Sequence, residues 1–157
     1  MSDFSSGREW TVFELGESLP RFSVLLCFED TFPGLARKFV DRGADFLAVL
    51  TNDAWFGHSS APYQHLQASV FRAIENGVSV VRSANSGISA FISPVGEIKE
   101  RVHDSGGEDI FVTGGMTYPV RWEKKWTLYR QGGRLFPYLC LAFLALGIGV
   151  KVKGKGV

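Results

Sequence analysis

Arg21 to Pro33 reads R-F-S-V-L-L-C-F-E-D-T-F-P, and the fold turns on this stretch. Arg21 to Phe28 is a nearly continuous apolar run, which fits a strand buried on both faces of a parallel or sandwiched sheet. Pro33 has no N–H to lose in a first helical turn, so a helix opens there with Thr31 or Phe32 as its cap. Leu35, Ala36, Phe39 and Val40 keep helical spacing, and Gly43 stops the helix. Asp45 to Thr51 (D-F-L-A-V-L-T) then predicts a second buried strand, and Asn52 to Ala61 a loop. Pro62 opens another helix, with Leu66, Val70, Phe71 and Ile74 along one side and Gly77 as its stop. Val78 to Ala84 is a third strand. Strand, helix, strand, helix, strand predicts an α/β fold with parallel strands joined by right-handed crossovers.

Outside this unit the pattern changes. Upstream, Trp10 to Leu15 alternates and is rich in β formers, so it reads as a strand. Downstream, Ile88 to Ile92 and Glu97 to Val102 flank the turn signal Ser93-Pro94-Val95-Gly96, which predicts an antiparallel hairpin. Glu108 to Thr113 is a candidate for a further strand. Met116 to Tyr129 is aromatic and basic, with Trp122 and Trp126, residues that favour a membrane interface.

Composition narrows the classes. The 157 residues carry 17 Lys+Arg against 16 Asp+Glu, which gives no support to a nucleic-acid binder relying on a broad positive field. Hydrophobic residues make up 45%, too many for a disordered, solvating chain. Two Cys exclude a disulfide-dense scaffold and a four-Cys zinc site, and three scattered His offer no H-x-x-x-H pair. The N-terminus has no basic segment followed by an apolar one, so no signal peptide is visible. Leu135 to Val150 is uncharged between Arg134 and Lys151. As a helix it is about 24 Å long, against about 30 Å of hydrocarbon. Snorkelling flanks would stretch it across, and the run is read as a transmembrane helix, with a core helix docked on the domain as the alternative. The organisation expected is therefore a domain over 1–117, an interfacial linker over 118–134, a span over 135–150 and a basic tail over 151–157. Charge does not settle orientation, since Arg121, Lys124, Lys125, Arg130 and Arg134 precede the run and Lys151, Lys153 and Lys155 follow it.

Cys27 is the sharpest chemical feature. It ends a buried strand, where sites of open α/β sheets lie, and the N–H groups and positive end of the next helix favour a thiolate. Glu29 and Asp30 beside it are candidate proton partners. A buried, inert Cys is the competing reading. The second feature, Thr51-Asn52-Asp53-Ala54-Trp55-Phe56-Gly57, also follows a strand and projects from the same edge. Its aromatics and short polar groups can shape an apolar pocket, or Trp55 can simply plug the core. A Cys27–His65 dyad is conceivable by analogy with thiol proteases, although a packing His is the plainer reading. Arg72 and Glu75, three apart on one helix, can pair. Arg82 lies inside a strand and needs a partner if buried, with Glu75 one candidate. Asn85-Ser86-Gly87 is most simply a turn.

The segment Cys27-Phe28-Glu29-Asp30-Thr31-Phe32-Pro33 resembles the nucleophile segment of the nitrilase, or carbon–nitrogen hydrolase, superfamily. Thr51 to Gly57, Ala61-Pro62-Tyr63-Gln64-His65, Arg72 to Asn76 and Val81 to Ser89 are similar, in order and spacing, to the bacterial apolipoprotein N-acyltransferase family. The resemblance implies the C-terminal part of an α-β-β-α sandwich followed by a hydrophobic helix. It implies transfer of a fatty acyl group from a phospholipid, through a thioester on Cys27, to the N-terminal diacylglyceryl-cysteine amine of an apolipoprotein. The backbone N–H of Phe28 would serve the oxyanion, Glu29 matches a family carboxylate, and Asn52, Asp53, Trp55, Phe56 and Gly57 would shape the acyl pocket. His65, Arg72, Glu75 and Arg82 would support the site. The implied partners are a phospholipid, an apolipoprotein N-terminus and the membrane, with the domain on the periplasmic side of the bacterial inner membrane. No metal or organic cofactor is implied.

One departure stands out. The superfamily places a Glu and a Lys upstream of the Cys, yet the 26 residues before Cys27 contain no Lys. Arg8 and Arg21 cannot replace a proton-shuttling amine. The expectation is a truncated chain that is inactive and poorly soluble alone. A soluble amidase of the same superfamily and a non-catalytic membrane-anchored module are the alternatives.

Overall fold

A computed structural model describes the backbone of residues 7–153, and the side chains of these residues except 134 and 146–153. Six strands form one sheet in sequence order. They are β1 (Phe13–Glu14), β2 (Arg21–Leu26), β3 (Phe46–Asn52), β4 (Ser79–Asn85), β5 (Ala90–Ile92) and β6 (Ile98–Arg101). β2, β3 and β4 run parallel, in a register that pairs Leu26 with Leu50 and Asn52 with Asn85. β1 adds to β2, and the β5–β6 hairpin to β4, in antiparallel fashion. The crossovers are α1 (Pro33–Asp41) and α2 (Ala61–Asn76). Pro33 and Pro62 each sit in a first helical turn, and Gly77 ends α2 in the left-handed conformation at φ 65°.

Alternation along the strands decides which face is covered. Leu25, Leu47, Val49 and Val80 pack with Ala36, Phe39 and Val40 of α1 and Leu66, Val70 and Ala73 of α2. The opposite face carries a ladder of stacked rings, Phe13 on Phe22 at 5.2 Å and Phe22 on Phe46 at 5.3 Å. Leu26 and Leu50 on that face are about half exposed. One helical layer on one sheet is therefore described, which fits the α/β part of the expectation.

The remainder departs from it in three places. Glu108 to Thr113 forms no strand, and the strand expected over Trp10–Leu15 is reduced to two residues. The third departure concerns the expected transmembrane helix at 135–150, which the structure overturns: among the described residues no helix is long and apolar enough to cross a membrane. A short helix α3 (Leu128–Gly132) and a tight turn Gly133–Leu135 come first, and α4 (Phe136–Lys153) starts only at Phe136. Its uncharged part ends at Val150, which leaves about 22 Å of helix against about 30 Å of hydrocarbon. Residues 154–157 of the basic tail lie outside the described residues.

Residues 118–130 run back along the domain. Tyr118 packs on Phe91, and Tyr118 to Arg121 roof a cavity of about 340 Å³ over Val81. Ser79 Oγ donates to the Arg121 carbonyl at 2.6 Å, Lys125 N to the Gly77 carbonyl at 2.8 Å and Thr127 Oγ1 to the Glu75 carbonyl at 2.6 Å. Lys124 pairs with Asp45 at 3.0 Å and Arg130 with Asp41 at 3.1 Å. These contacts gather at the start of β3 and β4, the end of the sheet away from Cys27.

Candidate functional site

β2 ends at Leu26, and the chain turns at once into a tight helical segment, Cys27–Thr31. Cys27 makes that turn in the left-handed region, at φ 51°. A side chain there costs about 1–3 kcal/mol, and such strain is tolerated where surroundings over-determine it. The free thiol is partly exposed. Glu29 Oε2 accepts the Leu26 N–H at 2.8 Å, so this carboxylate closes the turn across Cys27. The Phe28 N–H lies in the segment's first turn, where amides have no partner within the segment. The Phe28 ring is half exposed, stacks on His65 at 5.1 Å and meets Phe56 edge-on at 6.2 Å.

The loop after β3 lies beside it. Asn52 Oδ1 accepts from Ala54 N at 3.2 Å and from Asn85 Nδ2 at 3.1 Å, joining the ends of β3 and β4. Trp55 is 81% exposed, so it does not plug the core. Gly57 takes φ 56°. His58 stacks on Phe111 at 4.3 Å, and the Tyr63 hydroxyl donates to Asp109 at 2.7 Å, so the stretch that follows β6 flanks this loop. That bond to Asp109 pushes the Tyr63 hydroxyl above its ordinary value. Asp53 departs from its neighbours in the loop, because it is fully buried and turns inward.

Beneath Cys27 is a buried ionic cluster. Asp30 Oδ2 accepts from Ser69 Oγ at 2.5 Å and from Arg82 Nη1 at 2.9 Å. Asp53 Oδ2 accepts from Arg82 Nη2 at 2.9 Å, and Asp53 Oδ1 from Thr51 Oγ1 at 2.9 Å. His65 bridges the two acids, Nε2 to Asp30 Oδ1 at 3.0 Å and Nδ1 to Asp53 Oδ1 at 2.9 Å. Carboxylate oxygens facing both ring nitrogens stabilise the doubly protonated ring, the imidazolium. Arg82 Nη2 also lies 3.0 Å from Nδ1, but two donors do not bond. Burial disfavours the charged ring, yet the hydrogen bonds to Asp30 and Asp53 outweigh it and push His65 up to about 9. Burial likewise acts against the Asp53 anion, and His65 and Arg82 more than offset it, so its carboxyl lies below the usual range. Two anions thus face two cations.

With both nitrogens engaged, His65 has no lone pair left for Cys27, and the thiol-protease dyad is excluded in this arrangement. Arg72 and Glu75 do pair, at 2.9 Å, and Arg72 Nη1 reaches the Asp30 carbonyl at 3.3 Å. Burial raises Glu75 above the ordinary carboxylate value. Arg82 takes Asp30 and Asp53 as partners rather than Glu75. Asp30 is fully buried, which removes it as a proton partner of Cys27 and makes it the cluster's hub. Ser69 was not legible as a member. The available signal was that an Arg inside a strand needs anions, and that acids follow both preceding strands, Glu29 and Asp30 after β2 and Asp53 after β3.

Residues 2–114 match the carbon–nitrogen hydrolase family, and the chain belongs to it. It is similar to several apolipoprotein N-acyltransferases. That of Geobacter metallireducens is 37% identical over 157 residues, which is 100% of this chain and 29% of the relative. That of Thermotoga maritima is 38% identical over 126 residues, 78% of this chain and 25% of the relative. The chain thus spans between a quarter and a third of the length of these relatives. Among solved structures, Saccharomyces cerevisiae Nit3 shares the fold at TM-score 0.52 and 22% identity, covering 62% of this chain and 38% of that one. An amidase from Nesterenkonia sp. matches at TM-score 0.50 and 25% identity, covering 63% and 39%.

Proposed function

We propose that this chain carries the nucleophile of an acyltransferase that moves a fatty acyl group from a phospholipid to the N-terminal amine of an apolipoprotein. The observation that carries the reading is Cys27 itself, a partly exposed thiol held at φ 51° at the carboxyl end of β2, next to the half-exposed Phe28 ring, which meets Phe56 of the loop after β3. The names of the relatives favour acyl transfer over amide hydrolysis.

In this reading the Cys27 thiolate attacks the ester carbonyl of the phospholipid. The carbonyl oxygen gains the negative charge, which the Phe28 N–H meets. Collapse of the intermediate expels the lysophospholipid alkoxide, which takes up a proton, and leaves a thioester. The diacylglyceryl-cysteine amine of the acceptor then attacks the thioester, gives up a proton, and returns the thiolate. Splitting the transfer in this way replaces one difficult step with two easier ones. Glu29, tied to Leu26 N, holds the turn across the nucleophile. Trp55, Phe56 and Gly57 border the acyl chain together with Phe28, which meets Phe56 edge-on, while Asn52 fixes the loop. The Glu and Lys that the superfamily uses for proton transfer come from outside residues 1–26, which hold no Lys. The reaction takes place at the periplasmic face of the bacterial inner membrane, where phospholipid and lipoprotein meet.

The test is a chimera in which this chain replaces the matching part of the Geobacter metallireducens enzyme. Incubated with phosphatidylethanolamine, it should gain a hydroxylamine-sensitive acyl group on Cys27, and C27A should not. The isolated chain should react at least about 10²-fold more slowly, the usual loss with an absent general base. A folded chimera that acylates elsewhere, or not at all, sinks the reading.

A further inference from the structure

We propose that Asp30 is a positioning residue, which holds the strained Cys27 turn in register through its buried bonds to Ser69, His65 and Arg82. The inference rests on the acyl-transfer reading for its consequence but on the geometry for its substance. Cys27 and Asp30 belong to the same tight segment, Cys27–Thr31. Two of the segment's side-chain hydrogen bonds lie near the surface, Glu29 Oε2 on Leu26 N and Thr31 Oγ1 on the Phe28 carbonyl. Among the described residues, its hydrogen bonds to buried side chains of other elements are all made at Asp30. Its carboxylate takes three bonds, one each from Ser69 and His65 of α2 and Arg82 of β4, and its carbonyl takes a fourth from Arg72. All the partners are buried.

A turn with a left-handed non-glycine residue relaxes unless something prevents it. Here the restraint is a carboxylate whose donors come from two different elements, so the segment can neither rotate nor lift without leaving buried cations unpaired. Arg82 carries the restraint onward, because its other nitrogen holds Asp53 at the head of the Trp55 loop. The nucleophile turn and the loop that borders it are therefore fixed to one guanidinium. What this arrangement secures is the alignment of Sγ with the Phe28 N–H, a condition that only attack on a carbonyl imposes.

Two measurements test the proposal. Amide hydrogen exchange on this chain compares wild type with D30N and with the milder S69A, which removes one bond of the three. Exchange at Cys27 to Thr31 should rise about tenfold or more in D30N and less in S69A, with β3 amides unchanged; a turn as protected as in wild type overturns the proposal, whatever the chemistry does. In the chimera, acylation of Cys27 by an activated ester should fall about 10–10²-fold in D30N, while alkylation by iodoacetamide, which needs no oxyanion donor, should change less than about threefold. Parallel loss of both also overturns it. A wild-type chimera that is alkylated but never acylated refutes the acyl-transfer reading instead, and leaves the exchange result to decide the role of Asp30.

Discussion

Arg82 Nη1 donates to Asp30 Oδ2 across 2.9 Å, and this bond joins the third parallel strand to the turn that follows the first. Its second amine reaches Asp53 at the same distance, so one guanidinium spans the ends of β2 and β3. Removing it strands two buried carboxylates with a single imidazolium. R82M should therefore lower unfolding free energy by about 3–5 kcal/mol, read from urea denaturation of this chain. R82K keeps the charge but lacks the planar fork, and should fall between the two.

His65 gives the cluster a dependence on pH. Its folded value of about 9 lies above the ordinary 6.5, so its contribution is complete below pH 6.5 and fades as pH rises through about 9. The shift corresponds to at most roughly 3 kcal/mol. Asp53 acts in the opposite sense, with its carboxyl held low, and its contribution is lost in acid. Thermal unfolding of the wild type should lose stability between pH 6.5 and 9, and H65Q should show little of that loss. Equal slopes in both proteins would refute the assignment.

The left-handed Cys27 predicts a trade between chemistry and stability. Glycine adopts φ 51° without a Cβ penalty. In the chimera C27G should abolish the proposed acylation, and in this chain it should raise unfolding free energy by about 1 kcal/mol, seen as a melting point a few degrees higher.

Much of this fold could be read in the chain, and the failures share a cause. Pro33, Pro62 and Gly77 punctuate helices through their own backbone restrictions, so α1 and α2 were legible with their ends. The 93–96 turn likewise placed β5 and β6. Arg82 was legible as a buried charge in need of anions, but its partners lie 52 and 29 residues away, and only the folded sheet brings them near. Local spacing favoured Glu75, which Arg72 takes. The positive φ of Cys27 was hidden because residue type there points to sulfur chemistry and says nothing of backbone shape. At the C-terminus the helix covers Phe136–Lys153, but its uncharged part is short against about 30 Å of hydrocarbon, and a count of uncharged residues alone does not make a span.

Under the proposed acyl transfer, Trp55 separates stability from use of the acyl donor. At 81% exposure it contributes little to packing, so W55A should shift unfolding free energy by no more than about 0.5 kcal/mol. In the chimera it should still weaken acylation by long-chain phospholipid more than by a short-chain ester. Equal effects on both donors would remove Trp55 from the acyl pocket.

Gly77 holds the returning segment. A Cβ there would collide with the Lys125 carbonyl, and φ 65° already disfavours one. G77A should destabilise the chain by about 2 kcal/mol or more, and should expose Lys124 and Lys125 to trypsin before the rest of the domain is cut.

Residues 121–130 fasten to the beginnings of β3 and β4, so the helix beyond them is joined to one pole of the sheet while Cys27 sits at the other. The anchoring groups there are Asp41, Asp45 and the carbonyls of Glu75 and Gly77. Those contacts and Cys27 stand a full strand apart, because β2, β3 and β4 run side by side in the same direction, so a disturbance entering at residues 121–130 meets the sheet at the end opposite the sulfur.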